Sequence, residues 1–404
     1  MKAAAIFLAA LAPCLAQDFS QRGFFETRST FYPQTAPGDS GYAVAESLVR
    51  YEAFYKLSPN WQIAGGADMR ADTHRQVERS AAFSWADRTV RRPAIAVRRL
   101  SATYHRGRLS LELGKQFVRW GKADILNPTD RFAPRDYVNV AETDFLPVTA
   151  ARLTYGGQSD SIEAVWVPVF TPSRLPIVGQ RWAPLPSGVP LRELETRYPG
   201  GSQTGLRWNH IGRGVEYSLS FFDGRNHLPL FDVRLPSAPG GAVEFGRLFP
   251  DLRMYGGDAA VPLRWVTLKG EAAYFTSSTR TADEYALYVV QLERQAGEWV
   301  FVGGYAGQAI TARRSTLDFA PDRGLTRAVL ARASYTIDAN RSAALETAVR
   351  QNGDGMWIKG EYSQAFGQHW RATAGFAWIR GTATDFLGQY HRNSHAFLVV
   401  RYSF

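Results

Sequence analysis

The last eleven residues, Ser394 to Phe404, restrict the fold of this chain more than any other stretch. Every second residue from Phe404 back to Ala396 is apolar: Phe404, Tyr402, Val400, Leu398 and Ala396. Because successive side chains of a strand point to opposite faces, the pattern predicts a final β-strand with one fully apolar face. An amphipathic edge strand of a soluble protein would have the same pattern, so the rest of the sequence must distinguish the two.

The amino-terminal segment has the pattern of a secretory signal peptide. Lys2 precedes an apolar run, residues 3–15, which is too short to span a bilayer as a helix. We expect residues 1–16 to be cleaved off and residues 17–404 to form the mature chain. Cys14 also allows a lipoprotein signal, although the proline before it fits that signal poorly. Since Cys14 is the only cysteine, we expect neither a disulfide framework nor a cysteine metal site in the mature chain.

The remaining sequence reads as a series of short strands. No other stretch approaches the length of apolar sequence that a membrane-spanning helix needs, so helical spans are excluded. The composition, with 13% aromatic residues and 36 glycines, is compatible with an all-β fold. Eighteen segments have one alternating apolar face and turn residues on either side: 23–33, 43–56, 61–71, 95–106, 108–119, 147–157, 161–170, 203–211, 213–222, 251–261, 264–276, 283–294, 298–310, 325–337, 341–350, 355–366, 368–380 and 393–404.

The lengths of the connections favour a transmembrane barrel over a soluble sandwich. Short turns follow the even-numbered segments, whereas most long loops follow the odd-numbered ones: 72–94, 120–146, 171–202, 223–250, 311–324 and 381–392. Outer-membrane barrels have this asymmetry between periplasmic turns and extracellular loops, and they have an even number of strands. We therefore predict an all-β, antiparallel up-and-down transmembrane β-barrel of 18 strands, with 16 as the alternative because three segments are weak. The barrel must close, since an open sheet edge cannot lie in lipid.

The strand faces opposite the apolar ones carry charged residues, which at bilayer depth require a wet or paired interior. The chain has a formal net charge of +10, and most of its basic residues are arginines. A barrel of this size is wide enough for an aqueous channel, and unpaired arginines in its lumen would favour anions. We expect at least half of the lumen charges to pair across strands. The predicted cationic wall consists of Arg50, Arg99, Arg152, Lys359, Arg371 and Arg401.

The most distinctive internal stretch, residues 113–137, leads from the fifth strand into a long loop. It contains the pattern G-K-Q-x3-W-G from Gly114 to Gly121, followed by an Asn-Pro and a Pro-Arg-Asp sequence. The alternation of apolar residues slips in the first part of this pattern, which indicates a bulge or the edge of the membrane. Loops of this length without regular structure tend to be functional.

These motifs resemble those of a broad group of porin-like outer-membrane proteins, which are related in fold to the alginate-export and substrate-specific porins. The C-terminal pattern likewise resembles the closing strand of bacterial outer-membrane barrels. The resemblance implies transport and a long loop that folds inward to narrow the pore. It also implies that the barrel-assembly machinery recognises the end of the chain, through Phe404, Tyr402 and Val400.

The arginine excess and the position of the loop place a constriction between the loop and the lumen wall. An extracellular cap held by its own Asp–Arg pairs is the alternative for this loop. If the loop narrows the pore, its side of the constriction is formed by four cationic residues: Arg119, Lys122, Arg131 and Arg135.

We therefore predict an outer-membrane channel that passes small anionic or polyhydroxylated solutes, or an anionic polymer such as a polysaccharide, by diffusion. Its expected partners are outer-membrane lipid, lipopolysaccharide, the barrel-assembly machinery and the solute. Nucleic acid is not an expected partner, because an exported chain has no ordinary access to it. The sequence leaves the oligomeric state and the identity of the solute open.

Two other functions remain as alternatives. A barrel enzyme acting on lipid could use Asp385, His391, Ser394 and His395, which lie near one rim. The sequence has no nucleophile elbow, zinc-protease motif or phosphate-binding loop, so we expect no enzymatic activity, no cofactor and no metal. An adhesive or structural barrel would instead bind surface partners through its long loops, such as residues 224–248.

Overall fold

The computed structural model describes residues 18–80, 84–124, 126–184, 190–236, 241–315 and 319–404. The predicted signal peptide, residues 1–16, lies outside the described residues, and so does Cys14. No helix in the described ranges is long and apolar enough to cross a membrane.

The described chain forms one 18-stranded antiparallel sheet, which confirms the all-β prediction and its larger strand number. In chain order the strands are β1 (Phe19–Phe31), β2 (Ala43–Ser58), β3 (Trp61–Asp72), β4 (Ile95–Arg106), β5 (Leu109–Gln116), β6 (Val148–Gly156), β7 (Asp160–Val167), β8 (Gln203–Ile211), β9 (Glu216–Arg225), β10 (Asp251–Pro262), β11 (Thr267–Thr276), β12 (Glu284–Ala296), β13 (Trp299–Ala312), β14 (Ala328–Thr336), β15 (Arg341–Arg350), β16 (Gly355–Phe366), β17 (Trp370–Gly381) and β18 (His395–Ser403).

The sheet closes on itself because the last strand pairs with the first. β18 runs antiparallel to β1, with Ser403 opposite Phe24 and Ala396 opposite Phe31. The terminal residue continues this ladder: the Gly23 amide donates to the Phe404 carbonyl at 2.9 Å, and the Phe404 amide donates to the Gly23 carbonyl at 3.0 Å. Closure leaves the barrel without an edge, as lipid requires.

The two faces of the barrel differ as the alternation predicts. Outward side chains such as Leu219 (58% exposed) and Leu206 (52% exposed) form an apolar exterior, whereas their strand neighbours Ser218 and Arg207 are buried inside. Short turns of a few residues join β2 to β3 and every later even-numbered strand to the next one, at the side where the chain also ends. We call this the short-turn side, and the opposite end, with the long connections, the long-loop side.

Smaller elements lie in the long connections. A two-stranded hairpin pairs Arg135–Asp136 with Asp144–Phe145, and a three-stranded sheet joins Leu191–Glu193, Leu230–Arg234 and Val243–Leu248. Two 3-10 segments, Pro321–Arg323 and Gly388–Asn393, lie in the connections before β14 and β18.

The connection between β5 and β6, residues 117–147, folds into the barrel; we call it the inner loop. Its Val118, Trp120 and Phe132 are almost fully buried in one cluster with inward side chains of β6, β7 and β9 to β12, among them Phe222 and Met254. The alternative of an outer cap is therefore wrong, because this part of the inner loop packs inside the barrel. Open space remains beside β1 to β4, β16 and β18.

Candidate functional site

The inner loop is anchored to the barrel by one buried carboxylate of β11. Glu271 Oε1 accepts hydrogen bonds from the Thr129 amide and hydroxyl, each at 2.8 Å. Its Oε2 accepts from the amides of Lys122 at 3.1 Å and Ala123 at 3.3 Å. Gly121 makes this approach feasible, because it has a φ of +96° and a Cβ there would lie 2.6 Å from Glu271 Oε2. A single side chain thus fixes the start of the loop.

The G-K-Q-x3-W-G pattern supplies the complementary contacts. Gly114 has a φ of +121°, and a Cβ there would clash with the Leu100 carbonyl of β4. Lys115 is 1% exposed, and its Nζ donates to Asp87 at 2.6 Å, which fastens the preceding long connection. Trp120 Nε1 donates to Glu163 of β7 at 2.6 Å. The motif therefore turns the chain inward at the end of β5.

The second half of the inner loop is held by buried ion pairs of Asp136. Asp136 lies 3.0 Å from Arg92 and 2.7 Å from Arg174, both in other long connections. Burial acts to raise the pKa of Asp136, but these two guanidinium groups outweigh it and hold the pKa well below its ordinary value. Asp136 is therefore ionised at neutral pH and ties three connections together.

Two further acids of the inner loop face cationic side chains on β1 to β4 and β16, which we call the basic wall. Glu142 lies 2.5 Å from Arg28 of β1 and 3.5 Å from Lys359 of β16. Burial acts to raise its pKa, but these two cations lower it below the ordinary value. Residues 139–147 therefore lie against the cationic strands without closing the space between them.

Asp144 is the second of these acids, and three strands contact it. It lies 3.0 Å from Arg98, 3.5 Å from Arg50 and 3.9 Å from Arg70. Burial acts to raise the pKa of Asp144, but Arg98, Arg50 and Arg70 lower it below its ordinary value. The side chain is still 45% exposed, so it borders open space.

That open space is a cavity of about 610 Å³, which we call the main cavity. Eight of its lining side chains are cationic: Arg28, Arg50, Arg70, Arg92, Arg98, Arg174, Lys359 and Arg401. Seven are acidic: Glu26, Glu46, Asp68, Asp87, Asp136, Glu142 and Asp144. Cations thus exceed acids by one, so the main cavity is lined by many charges that nearly balance.

A second cavity of about 490 Å³ continues toward the short-turn side, where Ser403 and Phe404 line it. It shares Phe24, Arg50 and Arg98 with the main cavity, so the two spaces meet at these side chains. The main cavity reaches Tyr32 and Gln76 at the long-loop side. Together the two cavities extend over most of the barrel height, and we call them the passage.

A β-bulge shapes the point where the cavities meet. The register of β3 and β4 shifts between Gly66 and Ala67, which leaves Arg98 unpaired and places Arg98 and Arg99 on the same side. Their guanidinium carbons lie 4.8 Å and 6.0 Å from the ring centre of Phe117. Two consecutive arginines can therefore face the lumen.

The predicted wall residues separate into two groups. Arg50, Lys359 and Arg401 line the main cavity, and Arg99 lines the second. Arg152 and Arg371 are not among the residues that the structure places around either space. Arg152 pairs with Glu163 at 2.5 Å, and Arg371 donates to Ser363 at 3.2 Å.

The four cationic residues predicted for the loop side of the constriction do not line the main or the second cavity. Arg131 pairs with Asp322 at 3.1 Å, and Arg135 stacks on Phe145 with 4.4 Å to the ring centre; both line a third cavity that adjoins the inner loop. Lys122 pairs with Glu216 at 2.9 Å. Arg119 stacks on Phe145 at 3.8 Å. On its passage-facing side, residues 139–147, the inner loop presents acids.

Several lining cations were missed by sequence reasoning. Arg70 could have been found, because it shares the inward face of β3 with Asp68. Arg98 could not, since strict alternation assigns it to the lipid face and only the bulge turns it inward. Arg92 and Arg174 come from loops, whose positions no periodicity predicts.

The residues considered for a hydrolase do not form a Ser–His–acid relay. The Ser394 hydroxyl bonds to the carbonyls of Ile379 and His391, each at 3.2 Å. Asp385 pairs with Arg350 at 3.0 Å, and His395 Nδ1 lies 2.8 Å from the Asn393 carbonyl.

No protein-family model matches the sequence, and no curated protein matches it. Several solved structures match the fold over nearly the whole chain. The BenF-like porin from Pseudomonas fluorescens Pf-5 has a TM-score of 0.55 at 9% identity, covering 96% of this chain and 98% of that one. OccAB4 from Acinetobacter baumannii has a TM-score of 0.55 at 9% identity, covering 96% and 99%. The outer membrane protein OpdK from Pseudomonas aeruginosa has a TM-score of 0.53 at 8% identity, covering 95% and 99%. The chain therefore has the closed 18-strand barrel fold of outer-membrane porins.

Proposed function

We propose that this protein is an outer-membrane channel through which small carboxylates diffuse. The single observation that carries the proposal is the charged passage between the inner loop and the wall of β1 to β4, with Arg50 and Arg98 at its centre. Arginine stays protonated, is weakly hydrated and binds carboxylates through paired hydrogen bonds. A series of such groups offers an anion several shallow binding sites in succession.

Asp144 supports the choice of a carboxylate. Its carboxylate borders the main cavity and is shared by three arginines at 3.0 to 3.9 Å. A solute carboxylate of the same geometry could bind the same guanidinium groups by competing with this side chain. Because the loop acids nearly balance the arginines, we expect a modest preference for anions rather than exclusion of cations.

The comparisons support the same solute class. One similar structure, at a TM-score of 0.51 and 9% identity, is OpdK with vanillate, which is an aromatic carboxylate. Small aromatic carboxylates therefore belong to the solutes that we propose for this channel. Polyhydroxylated solutes and anionic polymers are less favoured, because the passage is lined by charge pairs.

Location and assembly belong to the same proposal. The apolar exterior suits lipid, and the long loops at one end suit contact with lipopolysaccharide. Phe404 is 54% exposed and completes the ladder between β18 and β1. We propose that Phe404, with Tyr402 and Val400, is the signal that the barrel-assembly machinery reads.

A planar-bilayer recording tests the proposal. The purified barrel should give unitary conductance steps, and a salt gradient should give a reversal potential of anionic sign that shrinks as ionic strength rises. Sodium benzoate should reduce the chloride current more than benzyl alcohol, the uncharged compound of the same size. A folded barrel without conductance, or one with a clear cation preference, would contradict the proposal.

A further inference from the structure

A third cavity adjoins the inner loop, and several residues of that loop line it. Its volume is about 200 Å³. Leu126, Leu252, Leu325, Trp357, Phe386 and Tyr390 are among its lining residues. A cavity of about 150 Å³ with such a lining accommodates one benzene molecule, so this space has room for a single substituted aromatic ring. We call it the side pocket.

Two hydrogen-bond donors of the side pocket have no partner among the residues that the structure describes. The Tyr390 side chain is 3% exposed, and its hydroxyl is buried without a hydrogen bond. Trp357 Nε1 on β16 is likewise buried and unbonded. Leaving a buried polar group unsatisfied is costly, so native proteins rarely do so without a function or a bound molecule. Both groups could donate to an acceptor atom of a bound molecule.

The charges around the side pocket are balanced and already engaged. Arg131 pairs with Asp322 at 3.1 Å, and Asp130 accepts from the Trp120 amide at 3.3 Å. Arg135 is stacked on the ring of Phe145. With two cations and two acids in the lining, nothing favours an anion, and burying an uncompensated carboxylate there would be costly.

The side pocket adjoins the main cavity. Ala141, Thr143 and Trp182 line both spaces, so only these side chains need to move for a molecule in the passage to enter the pocket. Trp182 stands at this junction and packs against Tyr390, with 5.5 Å between ring centres.

We propose that the side pocket binds a neutral, single-ring aromatic compound that carries a hydrogen-bond acceptor, such as an aromatic ketone or aldehyde. The ring packs among the leucine and aromatic side chains, and the acceptor takes hydrogen bonds from the Tyr390 hydroxyl and Trp357 Nε1. The inner loop thus separates a charged passage from an apolar binding site, and binding does not depend on whether the passage conducts.

A fluorine NMR titration tests the proposal on the full mature chain in lipid nanodiscs, with empty nanodiscs as the blank. The probe is 4-fluoroacetophenone, and the comparison compounds are 1-ethyl-4-fluorobenzene, which lacks the acceptor, and 4-fluorobenzoate, which is charged. We expect saturable binding of the ketone and about 25-fold weaker binding of the hydrocarbon, since the hydrocarbon loses two net hydrogen bonds, each worth roughly a factor of five.

Two variants locate the site. Ala133→Leu fills the pocket and should abolish saturable binding, whereas Tyr390→Phe keeps the shape and should weaken the ketone about fivefold. Tyr362→Phe is the matched control, because Tyr362 is 39% exposed on the barrel exterior, and it should bind the ketone like the wild type. Binding that is no stronger than to empty nanodiscs, or that is unchanged in both pocket variants, would overturn the proposal.

Discussion

Replacing Asp144 by asparagine should make the passage more selective for anions. The change keeps the size of the side chain and removes one negative charge next to Arg50, Arg70 and Arg98. A permeating anion bound to the same arginines would lie about 5 Å from the Asp144 carboxylate. Both carboxylates approach the same guanidinium group to about 3 Å from different sides. In the water-filled passage a unit charge at that distance contributes about 1 kcal/mol.

The effect acts in opposite directions on the two ions of a salt. Removing the charge stabilises an anion by about 1 kcal/mol and destabilises a cation by a similar amount before screening. At 0.1 M salt the Debye length is about 10 Å, which leaves a five- to tenfold rise in the anion-to-cation permeability ratio. In 1 M salt the Debye length falls to about 3 Å, and the change should be about twofold.

The assay is the reversal potential of single channels under a potassium chloride gradient. Asp338→Asn is the control, because Asp338 lies in the exposed turn before β15, where it pairs with Arg341. Asp338→Asn should leave the reversal potential unchanged at both ionic strengths. If Asp144→Asn also left it unchanged at 0.1 M, the ions would not pass Asp144, and the assignment of the passage would be refuted.

Three further predictions concern the inner loop and the end of β5 that leads into it. Glu271→Gln puts an amide nitrogen opposite backbone N–H donors, which should weaken the loop anchor by about 2 kcal/mol. We expect more open-channel noise and more tryptic cleavage within residues 117–147. A variant with unchanged noise and unchanged protease resistance would argue against that anchor. Gly114→Ala should destabilise the barrel by about 2 kcal/mol or more, seen as a lower melting temperature, because of its positive φ and the clash with β4. The lowered pKa values of Glu142 and Asp144 mean that their contribution to loop stability is complete above about pH 4 and is lost as the pH falls through the lowered values. Channel noise should therefore be equal at pH 7 and pH 5 and rise only below about pH 4; a rise between pH 7 and pH 5 would exclude these acids as the cause.

The strands could be predicted because lipid imposes period-two alternation on nearly every one of them. Even the start of β1 differs only slightly: it begins at Phe19 instead of residue 23, since Phe19 pairs with Tyr55 of β2. The turning point after β5 was also visible, as the alternation slips where Gly114 adopts its positive φ. Local patterns of this kind need no knowledge of the tertiary structure.

The charge balance of the passage could not be predicted, because it depends on contacts between distant segments. Arg50 looks unpaired in its strand, but the fold brings Asp68 to 2.7 Å and Asp144 to 3.5 Å. The inner loop was expected to present cations to the pore, and its passage-facing segment instead presents Glu142 and Asp144. The arginines of the loop had indicated a basic constriction only because their stacking and pairing partners were unknown.

Cysteine modification tests most directly whether solutes pass between the inner loop and the basic wall. Cys14, the only native cysteine, lies in the predicted signal peptide, so Leu48→Cys on the lumen face of β2 would give a single accessible thiol in the mature chain. A negatively charged methanethiosulfonate reagent is added during single-channel recording, and Leu219→Cys on the exterior face is the control. We predict a stepwise fall in conductance for Leu48→Cys alone. Full labelling of that thiol with an unchanged conductance would show that ions take another route, and the central claim would be wrong.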